Sequence, residues 1–134
     1  MLSGLRSPVH GHVPHQIEKA AVCTGDEVCR ELGVTKIDLL KVDAEGGDYE
    51  VLAGFSGLLA ARQIAVLQFE HQGGRYLRDF YDLLGPHGYA VGKLYANYVE
   101  FRAHSAELEH FLGPNYVAVP AAQKELIEAL RRGW

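Results

Sequence analysis

Residues 37–54 read I-D-L-L-K-V-D-A-E-G-G-D-Y-E-V-L-A-G, an order of residue types that specifies a strand, an acidic turn and a helix. The apolar run over residues 36–42 predicts a short strand that is buried on both faces. Asp43 and Glu45 follow it directly, and two glycines complete the turn. Beyond the turn, five apolar side chains share one helical face. They are Val51, Leu52, Phe55, Leu58 and Leu59.

The same order of elements repeats further along the chain. Residues 64–69 predict a second apolar strand, Glu70 and His71 follow it, and a glycine-rich turn leads into another helix. Two consecutive strand–loop–helix units are typical of a parallel sheet with crossover helices, and so of an α/β fold. Ligands of such sheets bind outside the carboxyl ends of the strands. Both acidic loops are therefore expected at the functional edge.

Shorter elements are predicted on both sides of this unit. Upstream, Thr24 and Glu27 form a capping-box pattern that starts a helix, and Gly33 ends it. Downstream, strands are predicted at residues 89–95, 98–102 and 115–120, followed by a helix at residues 121–132. Residues 1–20 lack a helical or strand period and are predicted to form an irregular lead-in.

Composition and charge exclude several classes of protein. The 134 residues suit one domain, and a net charge of −4 with scattered basic residues argues against nucleic-acid binding. No segment approaches the ~20 apolar residues of a membrane helix, and no secretory signal pattern is present, so a cytoplasmic location is expected. Cys23 and Cys29 fit neither redox nor zinc spacing, and no metal site is expected.

Four ionisable residues are the candidate site: Asp43, Glu45, Glu70 and His71. At a shared sheet edge they can accept a proton from a substrate hydroxyl, orient a cationic cofactor, or ligate a divalent metal. The residue pattern does not choose among these three. The alternatives without chemistry are that Glu45 stabilises the positive end of the next helix and that Glu70 and His71 belong to a surface loop.

At these residues the chain resembles the FkbM family of methyltransferases. Residues 37–54 match the family signature, an apolar strand followed by Asp-x-Glu-Gly, an acidic residue and Val-Leu-x-Gly. The matching positions are Asp43, Glu45, Gly46, Asp48, Val51, Leu52 and Gly54. The stretch T-G-D-E-V-C-R-E-L-G, residues 64–71, Gly88-Tyr89 and residues 115–120 also resemble the family, so that the resemblance spans about residues 21–120.

The resemblance implies a Rossmann-like class I methyltransferase fold, a mostly parallel sheet with an antiparallel end. It further implies S-adenosylmethionine as cofactor and transfer of its methyl group to a hydroxyl of a small molecule or glycan. Asp43 would lie near the methyl-donor end of the cofactor. Asp43, Glu45, Glu70 and His71 are then the candidate catalytic residues, which orient or deprotonate the acceptor.

The family's upstream units have no counterpart in the sequence. No glycine-rich strand–loop–helix unit precedes Thr24, so residues 21–134 are expected to be the C-terminal portion of the domain, with the N-terminal cofactor-binding units missing. Residues 36–42 would then form an exposed apolar sheet edge. The expected partners are a second copy or a chain that supplies the missing half. The alternatives are a non-catalytic α/β interaction module and a metal-dependent hydrolase.

Overall fold

A computed structural model describes residues 16–134 of the chain. Its strands are β1 (Ile37–Lys41), β2 (Ile64–Glu70), β3 (Tyr89–Leu94), β4 (Val99–Phe101) and β5 (Asn115–Pro120). Its helices are α1 (Gly25–Leu32), α2 (Asp48–Ala53), α3 (Ser56–Ala60), α4 (Leu77–Leu84) and α5 (Lys124–Arg132). Most of the predicted lead-in, residues 1–15, lies outside the described residues. The mixed α/β class is as predicted.

The five strands form one sheet in the order β1-β2-β5-β3-β4. Only β1 and β2 pair in parallel among these described strands, while the other three neighbouring pairs are antiparallel. The prediction of a mostly parallel sheet is therefore wrong, because β5 inserts between β2 and β3 and runs against both. β1, β2 and β3 still point the same way, so that their carboxyl ends lie at one edge of the sheet.

β1 is an edge strand of the described sheet. Leu39 is 62% exposed, and Asp38 and Lys41 are exposed as well. The prediction that this strand is buried on both faces is wrong. β1 is the last strand of the described sheet, and none of the described elements packs beyond it. The expectation of an exposed apolar edge is met.

The helix predicted after the acidic turn is divided into α2 and α3. At the break, the Gly54 carbonyl accepts a hydrogen bond from the Asp26 N–H at 3.0 Å, and the Asp26 carboxylate accepts one from the Gly57 N–H at 2.7 Å. A Cβ at Gly57 would lie 2.9 Å from Asp26 Oδ2, so a larger residue there would displace the carboxylate. The capping box of α1 is confirmed, since Thr24 Oγ1 accepts from the Glu27 N–H at 3.2 Å.

Two apolar layers cover the faces of the sheet. The larger packs beneath α1 to α4 and includes Leu52, Leu59, Leu67, Phe69, Phe80, Leu84 and Tyr116. The smaller packs beneath α5 and contains Val99, Val117, Val119 and Ile127. Between residues 16 and 134, no helix is long and apolar enough to cross a membrane.

Candidate active site

Asp48, the first residue of α2, joins the two acidic loops. Its side chain is 1% exposed. Oδ1 accepts a hydrogen bond from the Ala44 N–H at 2.8 Å, and Oδ2 accepts one from the Glu70 N–H at 2.9 Å. One buried carboxylate thus binds a backbone N–H group in each loop and holds the ends of β1 and β2 together. Sequence reasoning counted Asp48 in the signature without assigning it this role.

The loop after β1 presents Asp43 and Glu45 to solvent. Both residues are exposed, and neither carboxylate has a hydrogen-bond or ion-pair partner among residues 16–134. Glu45 and Gly46 both have positive φ, at 47° and 102°, which turns the loop sharply. A Cβ at Gly73 would lie 3.2 Å from the Gly46 Cα, so the backbones of the two loops meet at paired glycines.

The second loop starts with Glu70 and His71, whose side chains differ in environment. Glu70 is partly exposed and its Oε2 accepts a hydrogen bond from Gln72 Nε2 at 2.8 Å. His71 is 1% exposed, and its backbone N–H donates to the Pro114 carbonyl at 2.8 Å. The structure therefore brings the two loops together without joining the four ionisable side chains. Within the described residues, no group of three or more His, Cys, Asp or Glu side chains is arranged to hold a metal.

The hydrogen bonds of His71 fix which ring nitrogen carries the proton. Nε2 lies 3.0 Å from the Arg75 carbonyl oxygen, which only accepts, so Nε2 is the protonated nitrogen. Nδ1 is then an acceptor, and it is buried without a hydrogen-bond partner in the described part of the chain. A buried acceptor without a protein partner is uncommon, and a catalytic role is one of the explanations for it.

Three aromatic rings surround this imidazole. The rings of Phe80 and Tyr116 are buried, each with its centroid 6.3 Å from that of His71. Phe111 is 57% exposed, and its centroid lies 4.9 Å from the imidazole. Phe111 is therefore the one of these three rings that is exposed to solvent beside the buried imidazole.

Glu109 supports the second loop from a distant part of the chain. Its two carboxylate oxygens accept hydrogen bonds from the Leu77 and Arg78 N–H groups, at 2.8 and 2.9 Å, and so cap α4. His104 Nε2 lies 2.7 Å from Oε1, and His71 Nε2 lies 3.8 Å from Oε2. Sequence reasoning missed Glu109, because the cap joins residues more than thirty positions apart.

The pKa of the Glu109 carboxyl is shifted by opposing effects. Burial alone would raise it, but the N–H groups of Leu77 and Arg78 and the imidazole of His104 outweigh burial. The pKa therefore lies below its ordinary value of 4.5.

Replacing Glu109 with glutamine is expected to lower the free energy of unfolding by about 1–2 kcal/mol at neutral pH, as for loss of a charged helix cap. Because the folded pKa lies below the unfolded one, the carboxylate stabilises the fold above the unfolded pKa and loses this effect as pH falls through the folded pKa. The difference between wild type and variant should thus shrink in acid. Urea unfolding across pH measures it, with Glu31→Gln as the exposed control; a difference independent of pH would contradict the charge argument.

Lys93 and Tyr116 are two further buried polar residues at the same edge. They face each other across β3 and β5. Lys93 Nζ donates to the Leu112 carbonyl at 2.8 Å and lies 3.5 Å from Tyr116 Oη. Sequence reasoning left Tyr116 unassigned and missed Lys93, since a lysine in a short strand gives no signal that its side chain is buried.

Comparison with known proteins supplies a family for this site. The family model described as the methyltransferase FkbM domain matches residues 3–109, which is most of the chain. No curated protein and no solved structure matches the chain significantly. The matched residues include both acidic loops, Asp48, which holds the loops together, and also His71 and Glu109. The chain therefore belongs to the FkbM methyltransferase domain family.

Proposed function

We propose that this chain is the acceptor-side part of an S-adenosylmethionine-dependent methyltransferase that acts on a hydroxyl group. The observation that carries the proposal is that Asp48 holds together two loops at one sheet edge, one with free carboxylates and the other with an imidazole nitrogen that has no partner among residues 16–134. The family match supports methyl transfer in general. The base beside the acidic loop supports oxygen as the acceptor atom, because a hydroxyl has to lose a proton when it is methylated.

The residues of the first loop fit the charge of this cofactor. S-adenosylmethionine carries an ammonium and a sulfonium, both cationic. Asp43 and Glu45 are carboxylates without partners among the described residues, on a loop held in place by Asp48. We assign Asp43 to the cationic end of the cofactor. When bound, the cofactor supplies an electrophilic methyl carbon to the acceptor oxygen.

In this proposal, His71 moves the proton. Nδ1 accepts the proton of the acceptor hydroxyl, while Nε2–H stays on the Arg75 carbonyl and fixes the orientation of the ring. The Glu109 carboxylate, 3.8 Å from Nε2, offsets the positive charge that the second proton brings. Glu70 lies on the acceptor side of the same loop and is held by Gln72. The aromatic rings of Phe80, Phe111 and Tyr116 exclude water from the imidazole.

Cofactor binding tests the assignment of Asp43. The purified chain is expected to bind both S-adenosylmethionine and S-adenosylhomocysteine in calorimetric titration, and Asp43→Asn should weaken binding about tenfold. The loss should be larger for S-adenosylmethionine, because only it carries the sulfonium charge. Glu125→Gln, an exposed carboxylate on α5 at the opposite face, is the matched control. Equal losses for the two ligands would place Asp43 away from the sulfur.

The open edge of β1 favours a second candidate function, a non-catalytic interaction module that forms a homodimer or binds a chain with further cofactor-binding units. Leu39 is exposed on β1, and Val28 and Leu32 are exposed on α1. A mostly apolar groove of about 590 Å³ lies between α1 and α2. Light scattering on the sample used for titration separates the two candidates. A folded dimer that binds neither ligand favours the module, and binding by the folded chain favours the enzyme.

A further inference from the structure

A cavity of about 520 Å³ lies between the β3–β4 hairpin and the chain that leads into β5. Lys93, Glu100 and Arg102 line it from the sheet, and His110 and Leu112 line it from the connecting segment. It opens at the same sheet edge as the two acidic loops, since Lys93 is near the carboxyl end of β3. Nothing in the proposed methyl transfer uses these residues.

Lys93 is buried, yet its ammonium is incompletely bonded. The residue is 6% exposed, and Nζ makes one good hydrogen bond, to the Leu112 carbonyl, and one long contact, to Tyr116 Oη. An ammonium has three N–H donors, and no third partner is present among residues 16–134. Because Lys93 lines the cavity, its remaining N–H donors are available to a ligand bound there. A ligand that uses them has to bring an acceptor oxygen.

The neighbouring groups add a second donor. The Tyr116 hydroxyl is 3.5 Å from Lys93 Nζ and lies behind the residues that line the cavity, so it can donate to a ligand that reaches Nζ; burial raises its pKa to about 12. Burial also lowers the pKa of Lys93, an effect that the nearby Glu100 partly offsets.

The remaining charges of the cavity limit the ligand to a single negative charge. Arg102 is already paired with Glu107 and Glu100. Glu100 lies directly opposite Lys93 in the β3–β4 register, and both Glu100 and Glu107 line the cavity, so they repel a doubly charged phosphate about twice as strongly as a singly charged anion. A carboxylate, with one charge and two oxygens, matches one ammonium and one phenol.

We propose that this cavity binds a carboxylate on the methyl acceptor, with Lys93 and Tyr116 as its anchors. The inference rests on the proposed function, because that function makes the ligand a methyl acceptor. The Tyr116 ring contacts both sites, with its centroid 5.2 Å from the Lys93 ammonium and 6.3 Å from the centroid of the His71 ring. The substrate class is therefore a hydroxy acid whose hydroxyl and carboxylate are separated by several bonds.

A pair of small probes tests the site without turnover. Amide chemical shifts of the full chain are followed during titration with 6-hydroxyhexanoate and, separately, with its neutral analogue hexane-1,6-diol. The acid should give saturable shifts at Lys93, Gly113 and Tyr116, and the diol should bind at least about tenfold more weakly. Equal binding of the two probes, or shifts elsewhere only, would overturn the proposal.

Substitutions separate the anchors from general stability. Lys93→Met keeps the length of the side chain and removes the charge, and it should weaken binding of the acid about tenfold. Tyr116→Phe keeps the ring in the core and should weaken it severalfold. Lys124→Met, on exposed α5, should leave it unchanged. Acid binding without methyl transfer would sink the proposed function alone, whereas S-adenosylhomocysteine binding with no preference for the acid would sink this inference alone.

Discussion

Replacing Asp48 with alanine is expected to lower the free energy of unfolding by about 3 kcal/mol or more, because two hydrogen bonds to a charged group are lost together. The Ala44 and Glu70 N–H groups would both lose their acceptor, a carboxylate whose own residue is buried. A carboxylate in a surface ion pair can bind water when its partner is lost. The Asp48 side chain cannot, because the residue is buried. Loss of a buried hydrogen-bond network is among the most destabilising changes available to a protein.

Two comparisons make this result specific. Asp48→Asn should destabilise nearly as much, because an amide offers one acceptor oxygen and turns its NH₂ group toward a second N–H donor. Asp38→Ala, on the exposed edge strand β1, should change stability by no more than about 0.5 kcal/mol. Urea unfolding followed by circular dichroism measures all three variants. If Asp48→Ala and Asp38→Ala changed the free energy of unfolding equally, Asp48 would not hold the two loops together.

The loss of Asp48 also has a consequence for the site. Asp43 and Glu45 lie on the loop whose Ala44 N–H is bound by Asp48, so the same substitution should weaken cofactor binding along with the fold. Asp43→Asn should instead weaken binding while leaving the unfolding free energy nearly unchanged, because its carboxylate is exposed. Asp43 and Asp48, five positions apart, therefore have separable roles.

Local patterns predicted those parts of the fold that local contacts determine. The capping box at Thr24 and Glu27 and the strands before Asp43 and Glu70 depend on neighbours a few positions away, and each forms as predicted. The sheet order does not depend on such neighbours. The insertion of β5 between β2 and β3 pairs residues about fifty positions apart, which no periodicity encodes. For the same reason, the position of β1 at the sheet edge did not follow from the residues of β1 and was expected only from the resemblance to the family pattern.

The candidate site divides in the same way. The positions of Asp43, Glu45, Glu70 and His71 directly after two strands follow from the strand–loop order, which predicted that their loops meet. The groups that define the chemistry of the loops come from further away: Glu109 caps α4 across 32 positions, and Lys93 meets the Leu112 carbonyl across 19. Burial also separates His71 from the exposed Asp43, and residue type alone does not report burial.

Replacing His71 with glutamine is expected to reduce methyl transfer about 10²–10⁴-fold, the usual contribution of a general base. Glutamine can still donate an N–H to the Arg75 carbonyl, so it keeps the hydrogen bond that orients the native ring. What it lacks is a basic nitrogen in place of Nδ1. Release of S-adenosylhomocysteine in the presence of hydroxy acids measures the rate, and circular dichroism verifies the fold.

His104→Gln is the matched control, because His104 also bonds to Glu109 but does not adjoin the free nitrogen. Its rate should stay within a few fold of wild type. A second readout needs no acceptor: the nitrogen shifts of the His71 imidazole should show the proton on Nε2 and none on Nδ1. A ring protonated on Nδ1 alone would contradict the hydrogen bond to Arg75 and, with it, the role of base. Equal turnover in His71→Gln and wild type would show that His71 is not the base. A carboxylate of the exposed loop would then have to take the proton of the acceptor, and Asp43 is the first to test.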